Sequence, residues 1–183
     1  MRMILIPGNG GGGPEDNWFP WLAEQAEGLG LEVINVEFPD NQLARAEYWL
    51  PFLEKELKAS DDTILVGHSS GAIAAMRYAE THRILGSMLV GAYHTHLDMD
   101  TEKQSGYFND PWNWSAIRQN QEWVVVFASS DDPWIPIEEA RFLKEQLHPD
   151  YYEYSDQGHF GGDYHKAEFP ELLEALKKRL KFI

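Results

Sequence analysis

Gly67-His68-Ser69-Ser70-Gly71 limits this chain more than any other segment. It follows the apolar run Thr63-Ile64-Leu65-Val66 and precedes the small-residue run Ala72-Ile73-Ala74-Ala75-Met76. A strand that turns into a helix over so few residues brings the two backbones nearly into contact. Positions two before and two after the central serine must then be small, and here both are glycine. The serine itself must sit on a strained turn that lifts its hydroxyl off the end of the strand. A plain Gly/Ser turn would show the pentapeptide but would not need both flanks.

The remaining pattern agrees with that elbow. Short β-type runs over 3–6, 31–36, 63–66, 86–90, 123–127 and 151–154 alternate with helical patterns over 17–28, 42–58, 71–82, 137–147 and 170–182. Nearly continuous apolar strands alternating with helices imply a largely parallel six-stranded sheet covered on both faces. A length of 183 residues suits a single α/β domain over 1–183. The connection 92–121 reads as a long loop, a lid or binding segment, and it carries Tyr107, Phe108, Trp112 and Trp114. The formal charge of −15 opposes nucleic acid and anionic membranes as partners. The absence of cysteine excludes disulfides, thiolate metal sites and a cysteine nucleophile. The N-terminal apolar run breaks at Pro7, too early for a signal peptide, so a cytoplasmic protein, or one shared with the nucleus, is expected.

A serine hydroxyl becomes a useful nucleophile when a histidine takes its proton and a buried carboxylate orients that histidine. On a parallel sheet these groups belong in loops at the carboxyl ends of late strands. Ser129-Ser130-Asp131-Asp132-Pro133 follows the fifth apolar run, and Asp156-Gln157-Gly158-His159 follows the sixth. The order Ser, Asp, His is that of the α/β-hydrolase pattern. Asp132-Pro133-Trp134-Ile135-Pro136 resembles the D-x-x-V-P stretch of that fold, which favours Asp132 over Asp131 as the acid. His159 is the expected base, with His165 as the fallback.

Pro7-Gly8-Asn9-Gly10-Gly11-Gly12-Gly13 has two readings. Gly8, Gly10 and Gly13 with Glu37 satisfy a dinucleotide fingerprint, but Glu15 and Asp16 would repel the pyrophosphate. An oxyanion loop fits better: one N–H from Ser70, the residue after the nucleophile, and a second from Asn9, with Gly10 as the alternative. His68 is a candidate substrate contact or packing residue. His82 and His148 end helical patterns and read as dipole partners. His94 and His96 with Asp98 and Asp100 could form a metal cluster on paper, but a solvated loop is the simpler account, and no metal or cofactor is expected.

The chain resembles the retinoblastoma-binding protein 9 family of small serine hydrolases. The resemblance rests on Ile6-Pro7-Gly8-Asn9-Gly10-Gly11-Gly12, Trp49-Leu50-Pro51-Phe52, the run from Gly67 to Arg83, Ser105-Gly106-Tyr107-Phe108, Pro111-Trp112-Asn113-Trp114, Asp131-Asp132-Pro133 and Gly158-His159-Phe160. It implies a single α/β-hydrolase domain with Ser69, Asp132 and His159 as a triad. The namesake interaction uses an L-x-C-x-E motif, whereas the aligned Leu57-Lys58-Ala59-Ser60-Asp61 lacks the cysteine and the glutamate. Retinoblastoma-protein binding is therefore not expected.

These observations predict a serine hydrolase for a small ester or amide, acting through an acyl-enzyme on Ser69. Tyr107, Phe108, Trp112 and Trp114 are the expected pocket wall. A non-catalytic interaction module on the same fold is the alternative, opposed by the intact Ser, Asp and His.

Overall fold

Side chains alternate across a strand, so a strand apolar on both faces needs cover on both. The computed structural model, which describes residues 1–162 and 166–181, meets that demand with one sheet. Strands β1 (Arg2–Ile6), β2 (Glu32–Ile34), β3 (Thr63–His68), β4 (Gly86–Val90), β5 (Trp123–Ser129) and β6 (Asp150–Tyr154) lie in the order β2-β1-β3-β4-β5-β6. Every neighbouring pair is parallel. Ile4, Ile6, Leu65, Leu89 and Val126 face α2 (Ala46–Pro51), α3 (Ser70–Ala79), α5 (Trp114–Gln119) and α6 (Ile137–Leu147). The alternate set, Met3, Leu5, Ile64, Val66, Met88, Val125 and Phe127, faces α1 (Phe19–Gly28) and α7 (Pro170–Leu180).

The strand order creates the site. β1 has β2 on one side and β3 on the other, so connections leaving β1 and β3 diverge and open a crevice at their carboxyl ends. The elbow lies at that crevice. Ser69 has φ 55° and ψ −121°, a conformation disfavoured for a residue with a side chain. It is held there from both directions: its N–H donates to the Val90 carbonyl at 2.9 Å, and α3 begins at Ser70. A Cβ on Gly67 would strike the Gly71 backbone, and one on Gly71 would strike the carbonyl oxygens of Ile6 and Pro7.

Apart from shifts of a few residues at other element ends, three regions differ from the sequence expectation. The helix expected over 42–58 begins only at Ala46, because Asp40 holds a preceding turn by accepting the Arg45 N–H at 3.1 Å and its guanidinium at 2.8 and 2.9 Å. Pro51, which lacks an N–H, then interrupts the α-helical ladder, and the chain continues as one π-helical turn over Phe52–Glu56. The connection 92–121 is not a bare loop, since it contains α4 (Asp100–Ser105) and α5. The last helical pattern ends at Leu180, and Phe182 lies outside the described residues. Among the described residues, no helix is long and apolar enough to cross a membrane.

The elbow contact predicts a large local cost for a single methyl group. Gly71→Ala should lower stability in urea denaturation by more than about 2 kcal/mol. Gly28→Ala, at an α1 position with open space for a Cβ, should change it by less than about 1 kcal/mol. Equal stability of Gly71→Ala and parent would contradict the close approach of α3 to β1.

Candidate active site

Several segments converge on a cavity of about 360 Å³ at the crevice, the segment after β4 and the start of α1 among them. Gly8 and Asn9 come from the loop after β1, His68 and Ser69 from the elbow, Trp134 and Ile135 from the loop after β5, and His159 from the loop after β6. A Cβ on Gly8 would sit 3.3 Å from the Ser69 Cβ, so the first loop runs directly against the elbow.

Asp132 and His159 form a close pair, with Oδ2 2.7 Å from Nδ1. The Asp132 side chain is 1% exposed, and its other oxygen accepts the N–H groups of Trp134 at 2.9 Å and Ile135 at 3.0 Å. Backbone amides therefore fix one oxygen while the other meets the imidazole. Because the carboxylate oxygen can only accept, the proton sits on Nδ1 and the Nε2 lone pair is left as an acceptor. Asp131 spends its carboxylate differently. It accepts the Ser129 hydroxyl and the Gly158 N–H, the latter at 3.0 Å, and thereby ties the loop after β5 to the loop after β6. The Ser129 bond, more than the backbone ones, holds its carboxyl below the usual range. The fallback histidine, His165, lies outside the described residues.

His68 lines the cavity, but its polar contact is with the protein. Its Nε2–H donates to the His159 carbonyl at 2.7 Å, with the two rings 4.8 Å apart. Burial, and then repulsion from His159, push its pKa down to about 3, so it stays neutral. His68 thus fastens the backbone that carries the candidate base.

Ser70 is the first residue of α3, where a helix has no internal acceptor for its N–H. Gly10 and Gly11 donate their N–H groups to the carbonyls of Gln42 and Asn41, each at 3.0 Å. The N–H of Gly13 goes to Asp16 Oδ2 at 2.9 Å. Three amides of the glycine run are therefore engaged by the protein, which disfavours a phosphate cradle; the Gly10 N–H already has an acceptor in Gln42.

The aromatic segment is a correction to the sequence reading. Tyr107, Phe108, Trp112 and Trp114 do not line the cavity. Tyr107 is buried in the core on the α3 side of the sheet, and the other three pack against that core. Arg77 of α3 anchors the segment: Nε donates to the Tyr107 carbonyl at 2.7 Å, Nη2 to the Asp110 carbonyl at 2.7 Å, and the guanidinium lies 3.6 Å from the Trp112 ring centre. The apolar wall is instead made by Phe19, Leu97, Met99, Trp134 and Ile135. Trp134, 59% exposed beside Asp132, lies in a segment whose D-x-x-V-P pattern points to the aspartate and not to the aromatic residue. Tyr93 and Glu102 also line the cavity, and nothing in their local sequence marks them.

His94 and His96 take separate partners. The His94 ring stacks on Phe142 with centres 3.9 Å apart, and Nδ1 is 2.7 Å from Glu139 Oε2. Glu139 also accepts the N–H groups of His94 and Thr95 and the Thr95 hydroxyl, stapling α6 to the chain after β4. Burial raises the Glu139 pKa, but these bonds outweigh it and bring the value down to about 2. His96 Nδ1 accepts the Asp98 N–H at 3.1 Å. Among the described residues, no group of three or more His, Asp or Glu is placed to hold a metal ion.

Neutral His68 has a consequence for stability. An unfolded histidine takes up a proton near pH 6.5, whereas folded His68 resists until about pH 3. Between these values the unfolded chain binds the extra proton, so this residue makes stability fall with acidification, by up to about 1.4 kcal/mol per pH unit. Above pH 6.5 both states are neutral and it adds no pH dependence. Between pH 6 and 5 the urea midpoint of His68→Gln should therefore fall less steeply than that of the parent. Equal slopes would contradict a buried, neutral His68.

Comparisons with known proteins identify the family and the fold. A family model described as serine hydrolase matches residues 3–178. Serine hydrolase RBBP9 of Rattus norvegicus is 40% identical over 181 residues, covering 98% of this chain and 95% of that protein. The solved ydeN gene product of B. subtilis superposes with a TM-score of 0.85 at 23% identity, over 99% of this chain and all of the other. Est1E from Butyrivibrio proteoclasticus, solved with ferulic acid bound, gives a TM-score of 0.72 at 15% identity, over 99% of this chain and 88% of its own. The fold is that of the α/β-hydrolases, and the chain belongs to the serine hydrolase family.

Proposed function

We propose that this hydrolase cleaves compact esters or amides with an apolar acyl group, through an acyl-enzyme on Ser69. The observation that carries the reading is the Asp132–His159 pair, 2.7 Å apart with the carboxylate buried, at the cavity into which the elbow delivers Ser69. His159 Nε2 accepts the Ser69 proton as Oγ bonds to the substrate carbonyl carbon. The carbonyl electrons move to oxygen, and the N–H groups of Ser70 and Asn9 stabilise that oxyanion. Its collapse breaks the bond to the leaving alcohol or amine, which takes the proton from His159. Water then gives a proton to His159, attacks the acyl carbon and releases the acid as Ser69 recovers its proton. The Asp132 carboxylate stabilises the imidazolium. Only the neutral form of the imidazole can accept the serine proton.

The substrate class follows from the wall. Phe19, Leu97, Met99, Ile135 and Trp134 favour apolar groups, and a cavity of about 360 Å³ suits a small molecule rather than an extended peptide. The same geometry speaks against a non-catalytic module, since a binding scaffold has no need of an acid held against a histidine in the cavity that the serine lines.

Ser69→Ala should abolish fluorophosphonate labelling and lower kcat for p-nitrophenyl butyrate by at least about a thousandfold without loss of fold. Asp132→Asn should also lower kcat by orders of magnitude, though less than loss of the nucleophile, because asparagine favours the wrong imidazole tautomer. Asp131→Asn should act mainly on stability. Labelling of Ser69→Ala at the parent rate, or an Asp132→Asn enzyme as fast as the parent, would contradict the assignment.

A second measurement addresses the wall. Trp134→Ala should raise KM for aromatic acyl esters several-fold, while Trp114→Ala should leave KM unchanged and lower the melting temperature. The reverse pattern in steady-state kinetics would return the aromatic segment to the pocket.

A further inference from the structure

Glu102 is a carboxylate in a costly position. It lies on α4, is 3% exposed, and reaches the cavity beside Asn9. Its two oxygens are held by neutral donors: Asn9 Nδ2 donates to Oε1 at 2.8 Å, and the Tyr93 hydroxyl donates to Oε2 at 2.7 Å. Tyr93, itself buried, is 3.2 Å from the Ser70 hydroxyl. Because Tyr93 gives its proton to Glu102, it accepts one from Ser70. Every bond in this chain therefore runs toward one carboxylate: Ser70 to Tyr93 to Glu102, and Asn9 to Glu102. Burial raises the Glu102 pKa, against the opposing pull of the Tyr93 and Asn9 bonds.

The two ends of this chain are the residues whose backbone amides form the oxyanion hole in the proposed function. We propose that Glu102 is a positioning residue for that hole, fixing Asn9 through one oxygen and Ser70, by way of Tyr93, through the other. The inference rests on the proposed function and extends it. The two donors belong to separate elements, the loop after β1 and the start of α3, and a productive hole needs them placed to within about 0.5 Å. The backbone alone provides a contact between these elements at Gly71. Glu102 adds a shared anchor on the cavity side. A carboxylate suits the task because each oxygen accepts. An amide at this position could accept from Asn9 but would present an N–H to Tyr93, reversing or breaking that arm.

The test uses Glu102→Gln and Tyr93→Phe, assayed with p-nitrophenyl butyrate and with its thiono analogue, whose sulfur replaces the carbonyl oxygen. Sulfur accepts N–H bonds poorly, so an ordered hole strongly favours the oxygen ester, and a displaced hole loses that preference. Both variants should lower kcat for the oxygen ester about ten- to a hundredfold, with KM within about threefold of the parent. The ratio of oxygen-ester to thiono-ester kcat/KM should fall in parallel. Tyr93→Phe keeps the ring and decides the matter should Glu102→Gln fail to fold. Parent-like kcat in the folded variants, or an equal loss on both esters with the ratio unchanged, would overturn the role of Glu102. Undiminished hydrolysis by Ser69→Ala in the same assay would instead overturn the proposed function, so the two failures are distinguishable.

Discussion

The contact between the start of α3 and the ends of β1 and β3 is the constraint on which the site depends. Gly71 lies against the carbonyl oxygens of Ile6 and Pro7, and Gly67 against the Gly71 backbone. With no side chain between them, the helix N-terminus closes directly over the switch point of the sheet. Ser69 is thereby kept at φ 55°, its N–H is bonded to Val90, and the Ser70 amide is left at the helix start. Holding a serine in that region costs on the order of 1–3 kcal/mol, and the surrounding core opposes its relaxation. All ten residues of α3 are buried, as are all six of β3.

Around this elbow the same chemical group does different work according to the donors it meets. Asp132 has one oxygen fixed by backbone amides and the other against His159. Asp131, its neighbour, bonds a serine and the Gly158 amide and joins two loops. Glu139 fastens α6 to the segment after β4. Glu102 gathers Asn9 and Tyr93. In a chain with 30 acidic residues, tertiary donors and not residue type separate these roles.

Much of this was legible in the sequence because it depends on local sterics and chain order. The elbow follows from two glycines around a serine between a strand and a helix, and the loops bearing Asp132 and His159 follow from their places after late strands. The six strands follow from apolar runs. What was not legible depends on distant partners. Trp112 and Trp114 gave the composition of a pocket wall, but Arg77, from a helix remote in sequence, draws the segment against the core. Trp134, one aromatic residue in an acidic turn, lines the cavity in their place. Glu102 is one residue of a polar run, and only the fold brings it to Asn9. That the Gly10 N–H is taken by the Gln42 carbonyl is likewise set by a partner distant in sequence.

The central claim, that Ser69 takes the acyl group, is tested most directly by trapping the intermediate. The parent enzyme mixed with p-nitrophenyl butyrate and quenched in acid within milliseconds can be digested and mapped by mass spectrometry. The account predicts a single butyryl group on Ser69, appearing with the burst of p-nitrophenol. A butyryl group on Ser70, or turnover with a nitrophenol burst and no adduct on Ser69, would contradict it.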